Sequence, residues 1–363
     1  MVLSRGDEFP VHQTPEPIAY SGTDRNFYDR YFFNGYAPDG SGFFACAFGI
    51  YPHLDIVDAH FSFIRGDVQY CIHASAEMQM ERMALRCGPI SIEVIEPLHA
   101  LKVTVEETDG ICAEFTFTGR AFPIEEPRFI RRLGPRAFMD YTRMTQNGHC
   151  RGWISLDGER HAIAEGTAGT RDRSWGIRPV GQRDPQAIPG HDLSGFFWQW
   201  TPINFGDGSL FFHVNNDEMG DAWNTRAAWA PDGADAQDIA EGHGSMRTRL
   251  TAGTRWPSGG TLSLALKGAP EQVSFEPLGR FQMRGLGYTH PVWGHGMHHG
   301  PLRVEREDID LAALDPLSPE NLHVQIPVRV TGNDGREGIG VFEQLILGPF
   351  APLGLTSFLD GAD

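Results

Sequence analysis

The segment EGTAGTRDRSWGIRP, residues 165–179, concentrates residue types that suit acid catalysis. It places Asp172 between Arg171 and Arg173, and Trp175 follows three residues later. If the segment forms a strand, successive side chains alternate between its two faces, so Asp172 lies opposite both flanking arginines. A carboxyl group on an apolar face keeps its proton near neutral pH, because desolvation raises its pKa. Asp172 is therefore a candidate general acid.

The same residues also fit a purely structural role. An ion pair between Asp172 and an arginine would hold a junction between two parts of the fold, with the arginine stacked on Trp175. In either interpretation Arg171, Arg173 and Arg178 are predicted to be structural. The sequence leaves the role of the carboxylate open.

Two aromatic segments form a second candidate region. They are GFFWQWTPINF (195–205) and SLFFHVNND (209–217), and the turn Gly206-Asp207-Gly208 between them predicts a hairpin. On the first strand Phe196, Trp198 and Trp200 share one face. On the second strand Phe211, His213 and Asn215 alternate with Leu210, Phe212 and Val214. Aromatic faces with one imidazole suit an isoprenoid or polycyclic ligand, because rings stabilise a passing carbocation. The alternative is an aromatic core with a hydrogen-bonded histidine.

A third region, YTHPVWGHGMHHGP (288–301), contains four histidines: His290, His295, His298 and His299. Their spacing matches no standard zinc motif such as H-E-x-x-H, and the glycines lack the rigidity that fixes ligand geometry. We therefore predict no metal site. The segment is predicted to be a loop at the mouth of a pocket, where Trp293 or His299 contacts the ligand.

Smaller candidates are scattered along the chain. Tyr70 and His73 in VQYCIHAS are candidate substrate-binding residues, and Glu343 interrupts an apolar face of GVFEQLILG. A carboxylate in such a position is either paired or part of the site. The sequence contains no nucleophile elbow, Walker loop or dinucleotide fingerprint in a strand context. We therefore predict that the protein uses no cofactor.

Short runs that alternate apolar and polar residues occur in both halves and predict strands. Examples are 90–94, 101–105, 111–118, 261–268 and 323–330. Helical periodicity is weak and is limited to Ser75–Arg86 and Glu305–Leu314. No βαβ rhythm is present, so we predict an all-β protein of two tandem antiparallel barrels or sandwiches with few short helices.

Loop chemistry at Gly181–Gly190 predicts the boundary between the two domains. The N-terminal domain is predicted to span 20–185 and the C-terminal domain 186–355. Residues 1–20 and 351–363 are predicted to be tails or straps, and the acidic stretch 230–245 a surface loop.

Composition excludes several classes of function. The 363 residues include 30 Lys and Arg against 47 Asp and Glu, a net charge of −17, which disfavours nucleic acid and anionic membranes as partners. No apolar run is long enough for a membrane span or a signal-peptide core, so we expect a cytoplasmic protein. The five cysteines form no C-x-x-C pair and are predicted to be reduced and mostly buried. Oligomeric state stays open.

The motif Asp172-x-x-Trp175-Gly176, followed by the strand FFWQW, resembles a tandem lipocalin-like superfamily. Its members include carotenoid 1,2-hydratase (hydroxyneurosporene synthase), AttH-like proteins, tocopherol cyclase and fungal pericyclases. The resemblance implies two lipocalin-like β domains with a pocket near their junction. It also implies cofactor-free chemistry on hydrophobic polyenes, in which an acid protonates a double bond before hydration or cyclisation. The arginines beside Asp172 differ from the Asn-Trp-Gly form expected of a carotenoid hydratase.

We therefore expect a cofactor-independent hydratase or cyclase that acts on an isoprenoid or related apolar polyene. In this hypothesis Asp172 is the acid and His213 or Glu343 orients the water or hydroxyl. Trp175, Trp198 and Trp200 line the cavity. Two alternatives remain: a non-catalytic carrier of a hydrophobic metabolite, and a pericyclase or isomerase that catalyses by shape.

Overall fold

The computed structural model describes residues 3–12, 24–78, 81–183, 186 and 195–363. Nearly all of its regular structure is antiparallel β, as the alternating sequence patterns predict. The strands form two sheets, one open and one closed. Most of the predicted boundary segment, Gly181–Gly190, lies outside the described residues, so the division at residue 185 stays a prediction.

The first sheet is an open half-barrel of 14 strands. Its strands are β1 (Phe27–Tyr36), β2 (Phe43–Tyr51), β3 (Ile56–Arg65), β4 (Val68–Glu77), β5 (Arg86–Cys87), β6 (Ile90–Glu96), β7 (Ala100–Thr108), β8 (Ile111–Gly119), β9 (Ile124–Glu125), β10 (Phe129–Leu133), β11 (Arg136–Leu156), β12 (Glu159–Ala162), β13 (Ala168–Ile177) and β21 (Leu302–Asp310). The main path runs β21-β4-β3-β2-β1-β13-β11-β8-β7-β6-β5. The last strand of this sheet in chain order, β21, comes from the second half of the chain and pairs with β4.

The second sheet closes into a barrel of eight strands, because β19 pairs with both β18 and β22. Its strands are β14 (Phe196–Phe205), β15 (Gly208–Asn216), β16 (Ala222–Pro231), β17 (Ala240–Leu250), β18 (Pro257–Ala265), β19 (Gln272–Pro277), β22 (Val324–Gly332) and β23 (Glu337–Leu347), with the short β20 (Phe281–Gln282) beside β22. The described helices are all short 3₁₀ turns: Arg5–Glu8, Ala236–Asp238, Met283–Leu286, Pro319–Asn321 and Ala351–Leu353.

Three hydrophobic cores follow from the period-2 alternation of the strands. One lies on the inner face of the first sheet, one fills the barrel, and the third lies between the two sheets. The predicted hairpin of β14 and β15 shows the alternation directly. Phe212 is in the barrel core, whereas its neighbour Phe211 is in the core between the sheets, together with Trp198 and Trp200.

The two stretches of weak helical periodicity contain strands instead, since Ser75–Glu77 ends β4 and Glu305–Asp310 lies within β21. Long-range pairing of β21 with β4 outweighs the weak local helical pattern there. The predicted loop 230–245 was wrong at its end, because β17 begins at Ala240. This strand faces solvent on one side, so its exposed polar residues imitate a loop.

Residues 3–12 form a strap along the first sheet. Glu8 is fully buried and accepts hydrogen bonds from Arg171 at 2.7 and 2.9 Å and from the Leu98 amide at 2.7 Å. Farther along, His12 stacks on Trp175 with ring centroids 3.8 Å apart. The remainder of the predicted tail, residues 13–20, lies outside the described residues.

None of the helices in the described part of the chain could cross a membrane. All five cysteines are free, and Cys46, Cys71, Cys87 and Cys150 are buried, in agreement with the prediction.

The substitution Glu8→Ala should destabilise the protein by about 3–5 kcal/mol, because it leaves the Arg171 guanidinium buried without its counter-charge. The free energy of unfolding in urea measures this loss. The control is Glu305→Ala, which removes the exposed ion pair with Arg303 and should change stability by less than about 1 kcal/mol. Equal effects of the two substitutions would contradict a stabilising role of the strap.

Candidate active site

A cavity of about 460 Å³ lies between the two sheets. Its walls come from β11, β14 and β23, from the residues that follow β13, and from the segment 287–297. Apolar lining comes from Phe138, Met139, Trp198, Leu345 and Leu347, and polar lining from Arg143, Arg178, Tyr288, His295, His323 and Glu343. Apolar walls with a few convergent polar groups, at this volume, are typical of a small-molecule site.

A larger cavity of about 760 Å³ opens in the barrel, where β16 and β17 pair over only three residues. Its lining consists mainly of uncharged polar side chains and of apolar side chains that include Phe197, Phe212 and Phe350. Among its described lining residues, Arg247 is the one titratable group. Acid–base chemistry is therefore better served by the cavity between the sheets.

Asp172 projects from β13 toward the space between the sheets. Its neighbours across the sheet are Phe32 on β1 and Thr145 on β11. Burial raises the pKa of Asp172 to about 6, although the charges of Arg143 and Arg30 oppose the rise. The residue nevertheless keeps partial solvent access, and none of the described residues hydrogen-bonds to its carboxyl group. It is not part of the cavity lining itself.

The other face of β13 carries the arginines, in agreement with the alternation that the sequence predicts. Arg171 pairs with Glu8, and Arg173 pairs with Asp29. Trp175 packs under the strap rather than in the cavity. The arginine side chains thus meet carboxylates other than Asp172.

Glu343 lines the cavity and is fully hydrogen-bonded. It accepts bonds from Trp198 Nε1 at 2.9 Å, His323 Nε2 at 2.8 Å and Gln325 Nε2 at 2.6 Å. Burial alone would raise the pKa of Glu343, but the contacts with His323, Gln325 and Trp198 outweigh burial and lower it. The carboxylate is therefore ionised and orients the imidazole of His323.

His323 is a site residue that the sequence did not reveal. Its Nε2 lies 2.8 Å from Glu343 Oε1, and its Nδ1 is buried without a partner among the described residues. In the neutral tautomer that donates from Nε2, Nδ1 carries the lone pair. A base oriented by a carboxylate is a recurring catalytic arrangement. A feature of the sequence that could have indicated His323 is the alternation of His323 and Gln325 with apolar residues at the start of a strand.

His213 lies deeper between the sheets, outside the cavity lining. Its Nε2 is 2.8 Å from Asn224 Oδ1. Burial lowers the pKa of His213 to about 4, and the charge of Glu126 offsets only part of this effect. The imidazole is therefore neutral near pH 7. Arg143 holds Glu126 by bonds of 2.8 and 2.5 Å.

The remaining predicted residues fall into two groups. Trp200, Phe211 and Asn215 are buried between the sheets or at their edge, and Trp200 Nε1 donates to Thr145 at 3.2 Å. The other group comprises His73, Trp293 and His299, which lie around β4 and the histidine-rich segment, and Tyr70, which projects from the opposite face of β4 and packs on the inner core of the first sheet. In this group Trp293 stacks on His73 with ring centroids 5.5 Å apart. None of these seven residues lines the cavity.

The second group adjoins a set of potential metal ligands in the described residues, formed by Cys71, His73 and Glu307, whose ligand atoms lie within 4.8 Å of one another. Each already has a protein partner. Cys71 Sγ is 3.2 Å from Ser62 Oγ, His73 Nδ1 is 2.9 Å from His60 Nδ1, and Glu307 accepts from Arg284 at 2.6 Å. Hydrogen bonds within the protein therefore account for the close approach of Cys71, His73 and Glu307.

A family model described as a family of unknown function (DUF8625) matches residues 3–356. The chain belongs to this family. A search of the curated proteins found no relative of this DUF8625 member.

Several solved structures, including the following two, share its fold. An AttH-like protein of Nitrosomonas europaea is 16% identical with a TM-score of 0.53, covering 93% of this chain and 98% of that one. The structure of CghA with Sch210972 is 12% identical with a TM-score of 0.50, covering 89% of each chain. The predicted resemblance to lipocalin-like proteins is thereby confirmed at the level of the fold.

The titration of Asp172 should be visible in stability. Because its pKa in the folded protein, about 6, lies above the ordinary value of 3.8, its stabilising contribution is complete below about pH 4 and is lost as the pH rises through 6. The Asp172→Asn variant has no carboxyl group at this position, so its stability does not show this decrease with pH. The free energy of unfolding of the variant, minus that of the wild type, should therefore rise between pH 4 and 7 by up to about 3 kcal/mol.

The exposed carboxyl variant Asp67→Asn is the control for this measurement. Asp58, whose pKa is also raised to about 6, titrates in both proteins and cancels in the difference. A difference that stays constant or falls with pH would show that Asp172 is not a buried acid.

Proposed function

We propose that this protein is a cofactor-independent enzyme that protonates a double bond of an isoprenoid or related polyene bound between the two sheets. The product is a hydrated or cyclised form of the substrate. The observation that carries the proposal is Asp172, a carboxyl group with a raised pKa and no hydrogen-bond partner among the described residues, next to an aromatic-walled cavity.

Protonation of an alkene requires an acid that holds its proton and a site that excludes water until the cation is captured. The proton of Asp172 forms a new C–H bond and leaves a carbocation on the adjacent carbon. The rings of Trp198 and Tyr141 at the cavity wall suit such a cation. Arg143 lies 4.4 Å over Trp198, and its charge is balanced by Glu126.

In a hydration, water adds to the cation and passes a proton to His323 Nδ1, while Asp172 regains a proton from solvent. In a cyclisation, a hydroxyl of the substrate adds to the cation and passes its proton to His323 Nδ1. Where a second double bond adds instead, the new carbocation loses a proton from an adjacent carbon to the same atom. Glu343 acts in both cases by orienting His323. His213, which the sequence offered for this role, lies outside the cavity lining.

The relatives support a small-molecule role. CghA, which shares the fold, was solved with the compound Sch210972. A cytoplasmic location and the absence of a nucleic-acid partner belong to the same proposal, and the net charge of −17 supports the latter.

One observation favours a carrier instead. Asp172 is not in the cavity lining, and Glu343, the one carboxylate among the described lining residues, is ionised and fully paired. A carrier would bind the ligand tightly and release it unchanged.

Incubation of the protein with linear isoprenoids in deuterated buffer tests the proposal. We expect enzyme-dependent carbon-bound deuterium in the product, detected by mass spectrometry, with added water for a hydratase and an isomeric mass for a cyclase. Asp172→Asn should lower the rate at least 100-fold, since general acid catalysis contributes roughly 10²–10⁴-fold. Arg247→Gln, in the barrel cavity, is the control and should retain activity. Recovery of unchanged ligand would support the carrier.

The substitutions His323→Gln and Glu343→Gln separate the base from its positioning group. His323→Gln removes the base and should abolish most hydration turnover. Glu343→Gln keeps the side-chain shape but weakens the orientation of His323, so we expect a smaller loss, about 10–100-fold in kcat, with a shifted pH profile. Unchanged pH profiles in both variants would remove the dyad from the mechanism.

A further inference from the structure

Arg30 is a buried cation for which no described carboxylate forms an ion pair. It projects from β1 toward the space between the sheets and is 1% exposed. Its Nη1 lies 3.1 Å from His295 Nδ1, and its guanidinium carbon lies 4.5 Å from the ring centre of Tyr288. Both contacted residues line the cavity. The other two nitrogens, Nε and Nη2, are buried without a partner among the described residues.

These two unpaired nitrogens form one edge of the guanidinium plane. Their N–H groups point in parallel and match the two oxygens of a carboxylate. Leaving such groups buried and unpaired is unfavourable. In the same space between the sheets Arg143 has an acidic partner in Glu126. On the inner face of the first sheet Arg173 pairs with Asp29, although its own Nε and Nη2 also have no partner among the described residues.

Arg178 brings a second cation to the same place. It lines the cavity, its guanidinium carbon lies 4.4 Å from the ring centre of Tyr28, and no described carboxylate forms an ion pair with it. Its Nη2 is 3.4 Å from His295 Nδ1, the atom that Arg30 also approaches.

His295 cannot balance two guanidinium groups. Its Nε2 is 2.9 Å from the Leu286 carbonyl, which requires the proton on Nε2 and leaves one lone pair on Nδ1. Burial, together with the charges of Arg30 and Arg178, holds the pKa of His295 well below its usual range. The imidazole is therefore neutral and offers one lone pair to the two guanidinium groups. The carboxyl groups that feel the charge of Arg30, Asp58 and Asp172, form no ion pair with it.

We propose that Arg30 and Arg178 bind the carboxylate of an amphipathic substrate, whose apolar chain lies along Trp198 and Leu345. The inference rests on the proposed function, because it names the substrate class of the same cavity. A planar carboxylate fits the free edge of Arg30, and Arg178 supplies the second charge. The substrate is then an isoprenoid or polyene acid rather than a hydrocarbon or an alcohol.

Such a substrate would also act on the proposed acid. The carboxyl groups that feel the charge of Arg30 are Asp58 and Asp172, and the Cys46 thiol and the Tyr51 hydroxyl feel it as well. Asp58 is already held by Tyr51 Oη at 3.1 Å and by the Gly296 amide at 2.7 Å. A carboxylate bound at Arg30 offsets the positive charge that favours ionisation of Asp172. Substrate binding would therefore promote the protonated form that the reaction needs.

Calorimetric titration with three compounds of one chain length tests the inference: farnesoic acid, farnesol and farnesyl phosphate. We expect the acid to bind at least tenfold more tightly than the alcohol and the phosphate. Arg178→Gln, at a partly exposed position, should remove the advantage of the acid and leave the affinity for farnesol unchanged. Arg247→Gln, an arginine of the barrel cavity, is the matched control. Arg30→Gln should act in the same direction where circular dichroism shows that it is folded.

Equal affinity for acid and alcohol, tighter binding of the phosphate, the same loss in Arg247→Gln, or no binding of any compound would each overturn the inference. The deuterium assay separates it from the proposed function. Tight, Arg178-dependent binding of the acid without carbon-bound deuterium would sustain the carboxylate site and reject proton transfer. Carbon-bound deuterium in the product of farnesol, with no tighter binding of the acid, would support proton transfer and reject the carboxylate site.

Discussion

The fold depends on how β13 divides its charges between two buried faces. Strand alternation sends Arg171 and Arg173 to the inner face of the first sheet and Asp172 to the space between the sheets. On the inner face the N-terminal strap and β1 supply Glu8 and Asp29, so both arginines are paired. Asp172 receives no such partner from the described residues. On one face of β13 the charged groups are therefore paired, whereas on the other face the carboxyl group of Asp172 has no ion-pair partner among the described residues.

The space between the sheets combines apolar packing with charged groups held in specific pairs. Aromatic side chains from β14 and β15 pack there against β1 and β11. Within that packing Arg143 meets Glu126, and His323 meets Glu343. Buried ion pairs add little net stability but require exact partners, because a charge without one is costly. Asp172, Arg30 and Arg178 lack such partners in the part of the chain that the structure describes, and all three belong to or adjoin one cavity. That coincidence is the physical basis for assigning function to it.

The sequence predicted much of this arrangement from local periodicity. Alternation over short segments predicts the all-β class and the hairpin of β14 and β15. It also predicts the strand faces on which Trp198, Trp200 and Phe211 lie. The local pattern failed where strand pairing is distant. The strand β21 crosses from the second half of the chain to β4, and its sequence shows only weak helical periodicity. His323 and Arg30 went unnoticed because each is a single polar residue within an ordinary strand pattern. Only their neighbours in space distinguish them.

The sequence by itself determined which faces the side chains of each strand occupy, since the period of a strand is a local property of the backbone. It thereby separated Asp172 from its flanking arginines and marked Glu343 as a carboxylate in an apolar face. The tertiary structure decided which charges are balanced. It brought Glu8 to Arg171 across 163 residues and His323 to Glu343, and it left Arg30 beside Tyr288 and His295 with one edge unpaired. Electrostatic balance depends on distances in space, and no local pattern encodes those distances.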